Sequence, residues 1–269
     1  MIRIDSHAHV FSQHDQMIEN ARYTPTYDAS LAQFLAHLDE HAYSHAVLVQ
    51  PSFFGHDNHV LLNAIQQAPQ RLKGIAVVDK NIELTQLVKL KQQGIVGIRL
   101  NLFGLTVPDF TQPEWVKLLQ HLTELDFQLE LHAPPKILIH VLPILNHYPI
   151  NIVIDHFGRI DVTLGINDPD YQTFLTLLNP KQHWIKVSGY YRLGNAPQHI
   201  ATAQKAFALL KAKGFLTQMI WGSDWPHTQH ESLVSYHSVV DSFQQIVPDL
   251  DEQALILGQN AATLFFKSL

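Results

Sequence analysis

Two histidines one residue apart, His7 and His9 in IDSHAHV, end a short apolar run near the start of the chain. Side chains alternate along an extended strand, so this spacing sends both imidazoles to one face, where they can hold a metal ion or stabilise a developing oxyanion. The same alternation pairs Arg99 with Asn101, Glu130 with His132, Ile154 with His156, and Gly222 with Asp224, each near the end of a β-rich run. On the first run it sets Asp5, His7 and His9 on one face and Ile2, Ile4 and Ala8 on the other. A single histidine of this kind is usually a satisfied core or surface residue. Five runs delivering ionisable groups to one rim imply a site, because desolvating so many polar groups together contributes nothing to an apolar core.

The elements that must position these groups follow from hydrophobic period and punctuation. Eight β-rich runs, at 2–10, 44–52, 73–79, 95–101, 127–133, 150–157, 183–190 and 218–225, alternate with helix-period stretches, and a last helix covers 249–266. Pro113 and Pro197 stand where first-turn prolines belong, and Gly94 and Gly214 where helices stop. The strands are largely apolar on both faces, with polar residues gathered at their C-terminal tips. This pattern predicts an α/β fold, a (β/α)8 TIM barrel with an extra C-terminal helix, as one domain over 1–269; a doubly wound open sheet fits the tips less well.

Composition removes several classes of function. The 269 residues carry a formal charge of −6 without a basic face, so nucleic acid is not an expected partner. No apolar run is long enough to span a membrane, and Asp5 interrupts the first run early, so the expectation is a soluble, cytoplasmic protein. Cysteine is absent, which excludes disulfides and thiolate catalysis. Oligomeric state is left open, a homo-oligomer included.

The order of the polar tips resembles the amidohydrolase superfamily, whose pattern is H-x-H after strand 1, a carboxylated Lys or a Glu after strand 4, His after strands 5 and 6, and Asp after strand 8. His7, His9, His132, His156 and Asp224 match it. Strand 4 departs from it, because Arg99 stands where a bridging carboxylate is needed, and a guanidinium repels a second cation. A binuclear centre is therefore not expected. VQPSFFGHDN (49–58), IDHFGRID (154–161), KVSGYYR (186–192) and WGSDWPH (221–227) further resemble the branch that hydrolyses pyrone and sugar-acid lactones. That resemblance implies a lactonase acting on a carboxylated lactone, with either no metal or one Zn²⁺ held by His7, His9, His156 and Asp224.

Lactone hydrolysis needs a base for water, donors for the oxyanion and groups that hold an anionic substrate. Asp224 is the expected general base, with Gly222 leaving room for substrate. His7, His9, His156 and His132 are expected around the carbonyl oxygen. Only six arginines are present, and Arg99, Arg159 and Arg192 follow strand ends, which points to carboxylate recognition, although Asp161 offers Arg159 a simple ion pair. Gln50, Ser52, Asn58, Tyr190 and His227 are further candidates for substrate contact, with helix capping the alternative for Asn58. Lys186 is expected in a structural ion pair, and Trp221 and Trp225 in packing. Competing readings are a zinc-dependent decarboxylase of the same superfamily and a non-catalytic barrel that binds a small acid.

Overall fold

The computed structural model describes residues 2–195 and 197–267. Eight parallel strands, β1 (Ile4–Ala8), β2 (His45–Val49), β3 (Leu72–Ala76), β4 (Ile95–Asn101), β5 (Gln128–His132), β6 (Ile152–Ile154), β7 (His183–Lys186) and β8 (Met219–Ile220), pair in chain order. Backbone bonds close the ring between its first and last strands: Ser6 N donates to Trp221 O (2.9 Å), Asp224 N to His7 O (2.8 Å) and His9 N to Trp225 O (2.8 Å). The fold is a (β/α)8 barrel.

Helices α1 (Leu31–Glu40), α2 (His59–Gln67), α3 (Leu84–Gln92), α4 (Pro113–Glu124), α5 (Pro135–Leu145), α6 (Pro169–Leu177), α7 (Gln198–Ala212) and α8 (Tyr236–Ile246) follow the strands in turn. Local chemistry fixes their ends. Ser30 and Gln33 form a capping box on α1, and Pro113 opens α4. Gly94 (φ +96°) and Gly214 (φ +83°) take the left-handed conformation just past α3 and α7. Pro197 differs from expectation: it is the N-cap of α7, one residue outside the helix. The last helical stretch is not uniform, since a π turn (Leu255–Gln259) separates α9 (Leu250–Ala254) from α10 (Asn260–Phe265).

Apolar side chains pack in two groups. The larger lies between strands and helices; the smaller fills the barrel's N-terminal end with Ile4, Val47, Val49, Ile75, Val153 and Ile220. Ala261, Leu264 and Phe265 of α10 plug that end. Gln128 Nε2 donates to Leu264 O (2.7 Å), and Asn260 Nδ2 to Met219 O (2.8 Å), which ties the plug to the strands. With the bottom sealed by hydrocarbon, polar groups have only the opposite, C-terminal end to occupy.

Two strands depart from simple alternation. The β1–β2 register shifts between Asp5 and Ala8, a bulge that puts Ile4 inside the barrel with His7. Asp5 instead points outward and accepts from Tyr236 Oη of α8 (3.0 Å). The expected shared face of Asp5, His7 and His9 is thereby corrected. On β6 the inward residues are Val153 and Asp155, whereas Ile154 packs in the outer group, so its expected pairing with His156 is also corrected.

Candidate active site

A layer of buried charge lies directly on the apolar plug. Lys186 of β7 reaches Glu130 Oε2 of β5 at 2.5 Å, Asp155 Oδ1 at 3.3 Å and His7 Nδ1 at 2.9 Å. Arg99 of β4 holds Asp155 Oδ2 through Nε (2.9 Å) and Nη2 (2.8 Å). Two cations thus face two carboxylates away from water, the condition under which buried ions are tolerated. Burial pushes Glu130 up to about 7, helped by the neighbouring Asp155 charge. Asp155 is also desolvated, but Lys186 and Arg99 outweigh this and keep it well below the usual carboxylate range.

The hydrogen bonds assign the imidazole protons. Lys186 donates to His7 Nδ1, which leaves the His7 proton on Nε2, 3.3 Å from His9 Nε2. His9 gives its Nδ1–H to Val49 O (2.7 Å), so its Nε2 is an acceptor. His132 likewise directs Nδ1 to Asn101 Oδ1 (3.1 Å), and its buried Nε2 has no hydrogen-bond partner among the described residues. His156 Nδ1 lies 2.9 Å from Ser188 Oγ, a hydroxyl able to donate, which permits an N–H at Nε2. Burial drives all four rings toward neutrality, His9 to about 4 and His156 to about 3. Neutral His9 and His132 therefore offer lone pairs to the cavity, and only His7 and His156 have protons to donate there.

Asp224 hangs over this floor. Its Oδ2 accepts from Tyr191 Oη (2.6 Å) and Arg192 Nε (2.8 Å), while Oδ1 lies 3.7 Å from His7 Nε2 and 3.8 Å from His9 Nε2. One oxygen is pinned and the other faces the cavity. Burial alone would raise this carboxyl, but Arg192 opposes it and holds it well below the usual range; the neighbouring histidines, being neutral, add little.

Several of these groups sit on left-handed backbone. His156, Phe157 and Arg159 have φ of 50°, 56° and 52°, and Asp224 has 59°. L-residues adopt this conformation at a cost of roughly 1–2 kcal/mol each, and such strain collects where function fixes a side chain. Glycines make the room: a Cβ on Gly189 would meet His156 Nδ1 at 2.8 Å, and one on Gly222 would meet the His7 Cβ and backbone N at 2.5 Å. Gly222 therefore admits His7, not substrate.

These groups open into a cavity of about 290 Å³ lined by His9, Ser52, Arg99, His132, His156, Arg159, Arg192 and Asp224, together with Arg22, Tyr23, Asn101, Phe103 and Gln229. Gln50 lies beside it in an adjoining recess, with Nε2 given to Asp57 O (2.6 Å) and Oε1 without a hydrogen-bond partner among the described residues. Asn58 is drawn away and bridges His56 O and Val77, while Asp57 accepts from His59 N at the start of α2. Tyr190 packs on Tyr191 and His199 outside the cavity, and His227 packs behind Tyr191. Asp161 accepts from Thr163 N and Leu164 N rather than pairing with Arg159. Trp221 stacks on Tyr43, and Trp225 on Phe34. A larger open groove, of about 1050 Å³, lies at the opposite end between Ile2 and α9–α10, remote from this chemistry.

A family model described as amidohydrolase matches residues 4–267. The chain belongs to the amidohydrolase family. A 2-pyrone-4,6-dicarboxylate hydrolase of Comamonas testosteroni is 28% identical over 98% of this chain and 90% of its own length. A 4-sulfomuconolactone hydrolase of Hydrogenophaga intermedia is 26% identical over 97% and 88%. A crystal structure from Acinetobacter baumannii, described as a probable 2-pyrone-4,6-dicarboxylic acid hydrolase with citric acid bound, superposes with TM-score 0.98 at 59% identity, covering 99% of this chain and 100% of that one. A 2,6-dihydroxybenzoate decarboxylase, at 15% identity and TM-score 0.70, shares the fold alone.

Members of this family often hold metal, so the donors must be compared with that role. His7, His9 and Asp224 each offer one atom to a common point, and their separations of 3.3, 3.7 and 3.8 Å approach the ~3.3 Å edge of a tetrahedron with ligands at ~2.0–2.1 Å. These residues fit one divalent ion once His7 releases its Nε2 proton. His156 groups instead with His7 and Asp155. Arg99, bound to Asp155, occupies the strand 4 place where a bridging carboxylate would stand.

Proposed function

We propose that this amidohydrolase opens a carboxylated lactone by metal-independent hydrolysis. The observation that carries the reading is the asymmetric setting of Asp224, with Oδ2 fixed by Tyr191 and Arg192 and Oδ1 turned toward the two Nε2 atoms of the H-x-H pair. Its lactone-hydrolysing relatives support the same class of reaction.

In this reading a water beside Asp224 Oδ1 attacks the lactone carbonyl carbon and passes a proton to Asp224. The C=O electrons move to oxygen, where His7 Nε2–H and His156 Nε2–H stabilise the charge. Collapse of the tetrahedral species breaks the ring C–O bond, and Asp224 returns the proton to the departing oxygen. His9 and His132, as lone-pair donors, orient the water and polar substituents. Arg99 and Arg192 direct part of their charge toward substrate carboxylate. One Zn²⁺ on His7, His9 and Asp224 would supply Lewis-acid polarisation of the carbonyl when bound.

The test is a panel of carboxylated pyrones, muconolactones and sugar-acid lactones, assayed before and after chelation with the metal content measured alongside. Hydrolysis that survives chelation is expected. Activity lost to chelator, with CO₂ released from a carboxylated aromatic, would favour the decarboxylase. Asp224→Asn should lower kcat by about 10²–10⁴ while circular dichroism stays native; near-normal turnover would remove Asp224 as base. Absence of any turnover with undiminished acid binding would favour the non-catalytic barrel.

A further inference from the structure

Two further histidines meet on the outside of the barrel. Helices α1 and α8 follow the first and last strands, so they flank the seam where the barrel closes. His41 is the C-cap of α1, and His237 lies in the first turn of α8. The two rings face each other across the seam, with His41 Nε2 3.3 Å from His237 Nδ1.

The far side of each ring decides what lies between them. His41 Nδ1 is 3.0 Å from His37 O, and a carbonyl oxygen can only accept, so the His41 proton is on Nδ1 and Nε2 carries a lone pair. His237 Nε2 is 3.3 Å from Asp241 Oδ2, one turn along α8, and a carboxylate favours the proton on the nitrogen beside it. His237 Nδ1 then carries a lone pair as well. Two facing lone pairs repel, and a cation between them removes the repulsion. Their separation matches the ~3.3 Å edge of a tetrahedron with ligands at ~2.0–2.1 Å. A carbonyl behind one imidazole and a carboxylate behind the other are the outer partners that fix metal-bound histidines. The His41 ring is further held by packing on buried Tyr236, 5.0 Å between ring centres.

We propose that His41 and His237 bind a divalent transition-metal ion of the zinc class, with water completing its coordination, and that the ion clips α1 to α8 across the seam. Imidazole nitrogens suit Zn²⁺, Ni²⁺ and Cu²⁺, whereas Mg²⁺ requires oxygen ligands. The site is separate from His7, His9 and Asp224 and takes no part in hydrolysis. It therefore stands or falls independently of the lactonase reading. With the His237 side chain 72% exposed, the ion exchanges freely with solvent.

The test is Zn²⁺ titration by calorimetry at neutral pH on wild type, His41→Gln, His237→Gln and Asp241→Asn, with Mg²⁺ as the control ion. Each histidine variant should bind one equivalent fewer than wild type, because the cavity residues are untouched in all of them. Asp241→Asn should keep the count and weaken that step about tenfold or more. In urea, Zn²⁺ should raise the unfolding midpoint of wild type more than that of His237→Gln, since an ion bound only by the folded chain stabilises it. Equal stoichiometry and affinity in wild type and both histidine variants would overturn the site and leave only an imidazole–imidazole hydrogen bond. Mg²⁺ bound as tightly as Zn²⁺ would overturn the class of ion, and an equal rise in both midpoints would overturn the clip. Should His41→Gln not fold, His237→Gln alters an exposed side chain and decides the question alone.

Discussion

At the scale of single residues, the central fact is that Asp224 is a buried carboxylate kept ionised by one guanidinium. A base this well stabilised is charged throughout the neutral and mildly acidic range, so its reactivity derives from position rather than from high basicity. Replacing Arg192 with Met removes the opposing cation and leaves burial dominant, which raises the Asp224 pKa. Since a raised pKa means the base is protonated at higher pH, the acid limb of kcat/KM should move upward, into the range where the wild-type profile is still flat. A profile from pH 4 to 8 for both proteins checks this, and a variant profile as flat as that of wild type at its acid end would show that Arg192 does not control the base. Tyr191 cannot substitute for the cation, because its hydroxyl is raised well above its ordinary pKa and remains a neutral donor.

At the scale of elements, Asp5 joins β1, the β8 tip and α8. Its Oδ1 accepts from Ser223 N (2.8 Å) and His7 N (3.2 Å), and its Oδ2 from Tyr236 Oη (3.0 Å). Burial nevertheless raises its pKa to about 6, against about 3.9 in an unfolded chain. The folded state then binds the proton more readily, so this group's contribution is full below about pH 4 and is lost as pH rises through 6. Asn can keep both backbone bonds through Oδ1 and donate through Nδ2 to the tyrosine oxygen, the reverse of the wild-type bond. Asp5→Asn should therefore gain on wild type by about 2–3 kcal/mol between pH 4 and 7, measured by urea unfolding at each pH; a constant difference would contradict the raised pKa. The same strand shows why some of the architecture was legible and some not. Eight strands, their order and the H-x-H pair follow from periodicity, whereas the β1 bulge that turns Asp5 outward has no signature in IDSHAHV. His156 enters the cavity through a left-handed turn and not by strand parity, which is why its neighbour Asp155 escaped notice. Arg22 lies in an aperiodic connection, so only coordinates bring it to Phe103. Tyr191, rather than Tyr190, reaches Asp224 because the short helical turn Tyr190–Arg192 does not preserve strand alternation.

At the scale of the whole molecule, a chain of formal charge −6 concentrates four arginines around one cavity where, among the described residues, Asp224 is the one carboxylate in the wall. The outer surface repels an anionic substrate at long range, while the cavity attracts it at short range between low-dielectric walls. The short-range attraction acts within a few ångströms and is partly desolvated, so it should outweigh the diffuse repulsion wherever a carboxylate can enter the mouth. Salt separates the two effects because the Debye length falls from about 30 Å at 0.01 M to about 10 Å at 0.1 M. Raising NaCl from 0.01 to 0.1 M should first relieve surface repulsion and change kcat/KM for a carboxylated lactone by less than about twofold. Raising it further, toward 1 M, should lower kcat/KM several-fold through KM, as ions screen and compete at the open guanidinium groups. An uncharged lactone of the same ring should respond far less over the whole range. If both substrates lose activity in parallel, salt is acting on the fold and the arginines are not the source of anion recognition. Repeating the series with Arg22→Leu should flatten the high-salt decline for the carboxylated substrate, which would tie a molecule-wide electrostatic response to one side chain at the mouth.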